Sequence, residues 1–323
     1  MGTERREEMR GRLVLGTAAL GRPAYMTLGH AGDFPEGRTP EAMERHAHAI
    51  FDAAYAGGIR ALDTARSYGR GEAFVRSWLD ARGLQPGAVR VSSKWGYRYV
   101  GGWQLEADKH EVKDHSLAAL RAQLQESRDT LGPYLGLYQI HSATKESGVL
   151  DDEAVLDELA RARDEGLQIG LSTSGPAQAE IVRRALRIRR GGTPLFRAVQ
   201  STWNLLERSS EEALREAHEA GCTVLLKEVF ANGRLSPRGD AATGTAGTIA
   251  RELGVGLDVL AVAAALAQPF ADSVVLGSAT IDQLHSHLAG TELHLPPDVL
   301  ERLGVVREDA FAYWQRRASI PWS

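Results

Sequence analysis

Leu62-Asp63-Thr64-Ala65-Arg66-Ser67-Tyr68-Gly69-Arg70-Gly71-Glu72 reads as a strand end, a tight turn and a helix start. The short apolar run at 59–62 stops on a carboxylate, and a tyrosine follows five positions later in a Gly-containing turn. Taken alone, Asp63 is as well explained as a cap and Tyr68 as packing. The next two strand-like runs change that reading. The run at 89–93 leads to Lys94 and the run at 135–140 leads to His141, so three successive strands end on groups fit for proton chemistry.

Working outward, the same alternation fills the chain. Strand-like runs fall at 12–15, 59–62, 89–93, 135–140, 168–171, 197–200, 223–226 and 273–276. Helical patterns separate them. The first opens at Thr39-Pro40-Glu41, with an N-cap threonine, a proline in the first turn and an acid behind it. The others run at about 72–81, 114–131, 151–165, beyond strand five to 190, 210–220, 257–267 and 281–289. Short, nearly continuous apolar strands are those buried on both faces. Strict alternation predicts parallel pairing with right-handed crossovers. Eight such units predict an α/β fold of the (β/α)8 TIM-barrel type, one domain over 1–323. A Gly-rich insertion is expected at about 231–247 and a C-terminal extension at about 296–323. The competing architecture is an open doubly wound sheet. It usually carries G-x-G-x-x-G after strand one, and residues 16–21 supply only part of it.

Totals exclude several classes. The 323 residues are 43% hydrophobic and 25% charged with a net charge of -4, which gives no basic face for nucleic acid. One cysteine, Cys222, forbids an intrachain disulfide and reads as a small buried residue at a strand start. The charged N-terminus has no secretory pattern, and Gly2 is followed by Arg6 where myristoylation wants Ser or Thr. No apolar run approaches the about 20 residues of a membrane helix. The expectation is a cytoplasmic protein, a monomer or weak homo-oligomer, with a small-molecule substrate and no nucleic-acid or membrane partner.

In a barrel, catalytic groups sit at the C-terminal strand ends. That places Asp63, Tyr68, Lys94 and His141 on one side of the mouth. A lysine ammonium about 4 Å from a phenol favours phenolate by up to about 4 kcal/mol at an effective dielectric of 20, roughly three pK units. Asp63 would hold Lys94 charged and aimed, and reduce that effect. His141 can donate to the same oxygen as Tyr68. Together these groups form an acid and an oxyanion-type donor for a carbonyl being reduced. No side chain carries a hydride, so a cofactor must.

Asp63 and Tyr68 in D-T-A-R-S-Y-G, Lys94 in S-S-K and His141 in Y-Q-I-H resemble the catalytic tetrad of the aldo-keto reductase family. The resemblance covers Gly16 to about Leu288. It implies a barrel oxidoreductase with Tyr68 as general acid/base, acting on an aldehyde or ketone, or in reverse on an alcohol or sugar. It further implies a nicotinamide cofactor. Ser172 and Thr173 in G-L-S-T resemble the family's G-V-S-N, whose Ser and Asn hold the carboxamide. Gln200 resembles the glutamine that meets the same group. Residues 226–235 sit where the family has Y-S-P-L-x-x-G-x-L, with Lys227 in the place of an aromatic, Val229 and Phe230 beyond it, and Gly233 and Leu235 kept in the pyrophosphate loop. Residues 275–283 resemble a phosphate segment at a helix N-terminus, through Gly277, Ser278, Thr280 and Gln283, with His287 in place of the following Asn. Gly16 and Thr17, after strand one, complete the expected cofactor contacts. NADP(H) is the family's usual cofactor. Ala279 and Thr280 lack the basic residue for its 2′-phosphate, so NAD(H) stands beside it, with Arg234 and Arg238 as cations on the other side.

Trp95 and Tyr97, in the aromatic loop after Lys94, and Trp203 after strand six are expected pocket walls. No metal is expected: His110 and His115, five apart, do not share a helix face as the four-residue spacing of H-E-x-x-H does. His46 with His48 and His285 with His287 fail likewise. Trp314 and Trp322 either cover helices or fold over the mouth. Two further functions stay open: a nicotinamide-binding regulatory subunit on this fold, and a hydrolase or lyase using Asp63 and His141 without a cofactor.

Overall fold

A computed structural model describes residues 3–323; Gly2 lies outside them. Eight parallel strands close into a barrel in which each neighbours its successor and the last pairs with the first. They are β1 Leu13–Gly16, β2 Ala61–Asp63, β3 Arg90–Trp95, β4 Leu135–Ala143, β5 Gln168–Thr173, β6 Ala198–Thr202, β7 Thr223–Lys227 and β8 Ser273–Leu276. Helices cover the outside, and the helix capped by Thr39 runs Pro40–Ala56. No helix is long and apolar enough to cross a membrane among the described residues.

Side chains alternate across each strand, and the alternation sorts the sequence into two cores. Val14, Ala61, Ala198, Leu225 and Val275 form a small cluster inside the barrel. Leu13, Leu15, Leu62, Val91, Val199, Val224 and Leu226, on the opposite parity, join the large core between sheet and helices. Continuing the inner parity toward the C-terminal ends replaces apolar by polar residues: Asp63, Lys94, His141, Ser172, Gln200 and Lys227.

Several segments depart from the sequence reading. The loop after β3 contains an antiparallel hairpin, Tyr97–Tyr99 with Glu111–Lys113. A second hairpin pairs Arg189–Arg190 with Thr193–Pro194. The insertion after β7 holds a helix, Thr245–Glu252, and the extension adds Ala310–Ala318 to the helix Pro297–Gly304, which opens at Pro296-Pro297 as the sequence leads one to expect. The charged N-terminus is also a helix, Thr3–Gly11, with Glu4 in its first turn and Arg10 in its last. β4 runs on to Ala143, so His141 lies within the strand rather than just past it.

Candidate active site

Inner parity brings Asp63, Lys94 and His141 together, and the loop after β2 adds Tyr68. Lys94 Nζ donates to Asp63 Oδ2 at 2.5 Å and to the Thr64 carbonyl at 2.9 Å. Asp63 Oδ1 accepts from Ser92 Oγ at 2.7 Å, Gln200 Nε2 at 3.0 Å and Gln139 Nε2 at 3.3 Å. Three barrel strands thus fix one carboxylate, which fixes the lysine. The ammonium lies 5.0 Å from the centre of the Tyr68 ring. Tyr68 Oη is 3.5 Å from His141 Nε2, and His141 Nδ1 is 3.4 Å from Ser67 Oγ.

The expected lowering of the Tyr68 pKa is not found. Burial and the Asp63 carboxylate outweigh Arg22, and the hydroxyl titrates above its ordinary range. A desolvated phenolate costs more than a lysine already neutralised by Asp63 returns. Burial likewise depresses the His141 imidazolium, helped by the charges of Lys94, Arg22 and Lys227, so the ring is neutral near pH 7.

A cavity of about 270 Å³ opens over these groups, lined by Asp63, Tyr68 and His141 of the four. Of the expected cofactor contacts, Gly16, Ser172, Gln200, Lys227, Val229, Phe230, Gly233 and Gly277 line it. A second cavity of about 250 Å³ shares Phe230, Gly233 and Gly277 and adds Gln283 and His287. Thr17, Thr173, Leu235, Ser278 and Thr280 line neither. Thr17 and Thr173 have outer parity: Thr17 Oγ1 bonds Thr64 at 2.9 Å, and Thr173 Oγ1 lies 2.7 Å from Ser201 Oγ. Leu235 packs in an apolar cluster that the insertion shares with the helix Leu257–Leu266 and the C-terminal extension. Ser278 Oγ lies 2.7 Å from His287 Nδ1, and Thr280 caps the helix Ile281–Ala289.

Two expected pocket walls need the same correction. Trp95 follows inner Lys94 and therefore points out, fully buried, its ring edge-on to His115 at 5.5 Å. Trp203 follows inner Thr202 and packs against Phe270, its Nε1 donating to Glu211 at 3.1 Å. Tyr97 does line the cavity, with its ring 4.9 Å from that of His141. Its hydroxyl is pushed up to about 12 by burial.

Other wall residues were not singled out from the sequence. Arg22 is buried, donates to Ser67 O at 3.1 Å and Glu111 at 2.7 Å, and lies over the rings of Tyr68 and Trp322 at 5.1 and 4.7 Å. Trp322 resolves the choice left for the tail: it lines the mouth and stacks on His110 at 4.5 Å. Trp314 packs with Leu235, Leu260 and Leu303 in a separate apolar cluster between the insertion and the C-terminal extension. Lys227 Nζ donates to Thr202 Oγ1 at 2.8 Å and to Glu228 at 3.2 Å, and Arg317 grips Glu228 from the tail at 2.5 and 2.8 Å. Ser142 and Glu228, each following an inner residue, hold φ of 53° and 55°, strain that accumulates at functional sites. Among the described residues no cluster of three or more His, Cys, Asp or Glu could hold a metal ion.

The chemistry of this wall suits a carboxamide. Ser172 Oγ accepts from the Ser142 N–H at 2.8 Å, leaving its own proton to donate, and the Gln200 amide oxygen can accept. Asn232 lines the first cavity and Asp258 the second, and Oδ1 of each is buried without a hydrogen-bond partner.

Comparison with known proteins agrees with this architecture. The model of the aldo/keto reductase family matches residues 12–308. "Protein tas" of Escherichia coli is 26% identical over 317 residues, covering 82% of this chain and 90% of its own. "Uncharacterized oxidoreductase YrpG" of Bacillus subtilis is 25% identical over 293 residues, covering 80% and 86%. A Bacillus halodurans aldo-keto reductase solved in its holo form superposes with a TM-score of 0.69 at 22% identity, covering 93% of both chains, a likeness of fold.

Proposed function

The chain belongs to the aldo/keto reductase family, and on that premise we propose that it reduces an aldehyde or ketone to an alcohol, with Tyr68 as the proton donor. A bound nicotinamide dinucleotide would supply the hydride. Ser172 and Gln200 would hold its carboxamide, and the second cavity would take its adenosine half. The observation that carries the reading is the Tyr68 hydroxyl, walled into the cavity beside His141 and above the Lys94–Asp63 pair.

Each residue has a separable task. Tyr68 is protonated near pH 7, as any phenol is, and burial holds it so against the nearby cations, so the proton is in place before the carbonyl arrives. His141, neutral, donates from Nε2 to the carbonyl oxygen and orients it, with Ser67 Oγ set beside Nδ1 to favour that tautomer. As the oxygen gains charge, the Tyr68 proton moves to it. The phenolate left behind faces Lys94 on one side and Arg22 on the other, and solvent restores its proton. In the reverse direction Tyr68 takes the alcohol proton.

The test is Tyr68→Phe beside wild type, with a panel of aromatic and aliphatic aldehydes and each nicotinamide dinucleotide. Wild type is expected to turn over. The variant is expected to lose about 10²- to 10⁴-fold in kcat while binding the dinucleotide with unchanged affinity. Unchanged kcat in the variant would refute the assignment. Dinucleotide binding with no turnover by wild type would favour a regulatory binding subunit instead.

A further inference from the structure

We propose that the second cavity is an adenosine subsite that selects a free ribose 2′-hydroxyl, so that the chain takes NAD(H) in preference to NADP(H). The inference rests on the nicotinamide-dependent reading above and concerns the other end of the same dinucleotide.

The charges around this cavity carry the argument. Asp33, Asp258 and Asp282 line it, against Arg238 and His287. His287 adds no charge near pH 7, because burial pushes its pKa down to about 4. Arg238 Nη1 donates to Asp33 Oδ1 at 3.0 Å and to the Gly29 carbonyl at 2.7 Å. Arg234, the insertion's other candidate cation, donates to both oxygens of Glu308 at 2.9 and 2.5 Å and to Asp240 at 3.2 Å. Both arginines that the sequence offered for a 2′-phosphate are therefore committed to carboxylates.

A 2′-phosphate brings up to two negative charges and three acceptor oxygens, and it needs cationic partners. Here it meets three carboxylates and one engaged guanidinium. Arg238 meets Asp33 through Nη1 alone, so its remaining N–H groups could reach a phosphate, but its single positive charge is already shared with a carboxylate only 3% exposed, which otherwise has His30 and Gln283 at 3.2 and 3.1 Å. An unesterified adenosine is the opposite kind of ligand. Its ribose hydroxyls and exocyclic amine are donors, and carboxylates are acceptors; an acidic residue on the ribose 2′-hydroxyl is a known physical basis for NAD selection. Asp258 adds a carboxylate to the lining: Oδ2 takes Ser286 Oγ at 2.6 Å and lies 3.8 Å from His287 Nε2, while Oδ1 turns toward Gly256 at the start of its own helix. Among the described residues the cavity thus sets three carboxylates against one guanidinium, that of Arg238, already paired with Asp33.

The experiment is equilibrium binding to the full chain, independent of turnover. NADH and NADPH are titrated by calorimetry, with 5′-AMP and adenosine 2′,5′-bisphosphate as probes of the adenosine end. NADH is expected to bind about tenfold or more tightly than NADPH, and 5′-AMP more tightly than the bisphosphate. Asp282→Lys, on the exposed first turn of the helix Ile281–Ala289, is expected to narrow the NADH:NADPH ratio about threefold or more. Asp33→Asn, which keeps the shape of the side chain, is expected to do the same. NADPH binding as tightly as NADH, or more so, would overturn the inference and leave the proposed reaction standing. An unchanged ratio in both variants would overturn the role given to these carboxylates. Binding of neither dinucleotide would overturn this inference and the proposed function together.

Discussion

Replacing Arg317 with methionine separates the charge of the tail from its packing. Arg317 reaches from the helix Ala310–Ala318 to both oxygens of Glu228, which Lys227 also contacts. Burial alone would push the Glu228 carboxyl up. Arg317 and Lys227 overturn that and hold it down at about 2, against an ordinary 4.5. A carboxyl depressed in the folded state adds stability that is complete above the unfolded value and is lost as pH falls through the folded one. The gap of about 2.5 pH units, at about 1.36 kcal/mol each, amounts to about 3 kcal/mol at pH 7, with roughly half remaining at pH 3. Arg317→Met is therefore expected to lose about 3 kcal/mol at pH 7, since removing one partner strands a buried charge. Urea unfolding followed by tryptophan fluorescence from pH 7 to pH 3 reads both numbers. The difference between variant and wild type is expected to shrink by about half across that range. A difference below about 0.5 kcal/mol at pH 7 would refute the reasoning. A large difference that ignores pH would assign the loss to the arginine stem, whose guanidinium carbon lies 5.2 Å from the centre of the Trp314 ring.

Two further outcomes follow from local geometry. A Cβ at Gly21 would lie 2.3 Å from the Tyr68 carbonyl oxygen and 2.7 Å from Gly71 Cα, both backbone atoms. Gly21→Ala is expected to cost about 1–3 kcal/mol and, by displacing the Tyr68 turn, at least about tenfold in kcat; a near-normal melting temperature together with normal turnover would sink the idea. Burial pushes His115 down to about 4 from 6.5, so its neutral form favours the fold fully above pH 6.5, and that stability drains away as pH falls through 4. His115→Gln keeps a donor for the His141 carbonyl, which the imidazole meets at 2.9 Å. Between pH 7 and 4 wild type is expected to lose about 3 kcal/mol more than the variant; parallel unfolding profiles would contradict this.

The barrel was legible because a strand buried on both faces must be apolar, and because each such run ends where its inner parity meets the mouth. Asp63, Lys94 and His141 stand out at those ends for that reason. The same parity excludes Thr173, Trp95 and Trp203. Each is the immediate neighbour of an inner residue, Ser172, Lys94 and Thr202, so its side chain leaves by the other face. That signal lies in the sequence itself, in the residue number relative to the strand's inner positions. The direction of the Tyr68 pKa was a different failure. A charge can be read from a residue name, but the depth of burial that outweighs it cannot, because burial is a property of the closed fold.

The cover of the site was illegible for a further reason. Its segments are held by charge pairs whose members lie far apart in the chain. Arg22, after β1, meets Glu111 of the hairpin after β3; Arg238 of the insertion meets Asp33 of the loop after β1; Arg317 of the tail meets Glu228 at the end of β7. Neither member of a pair announces the other, and the chain's Lys+Arg total of 38 faces 42 Asp+Glu, so candidate pairings vastly outnumber real ones. These pairs also act differently from the core. Separating such a pair strands a charge, so each fixes where a segment rests as well as what it adds to stability. The strands position the proton chemistry, and the charge pairs position the walls that meet the substrate.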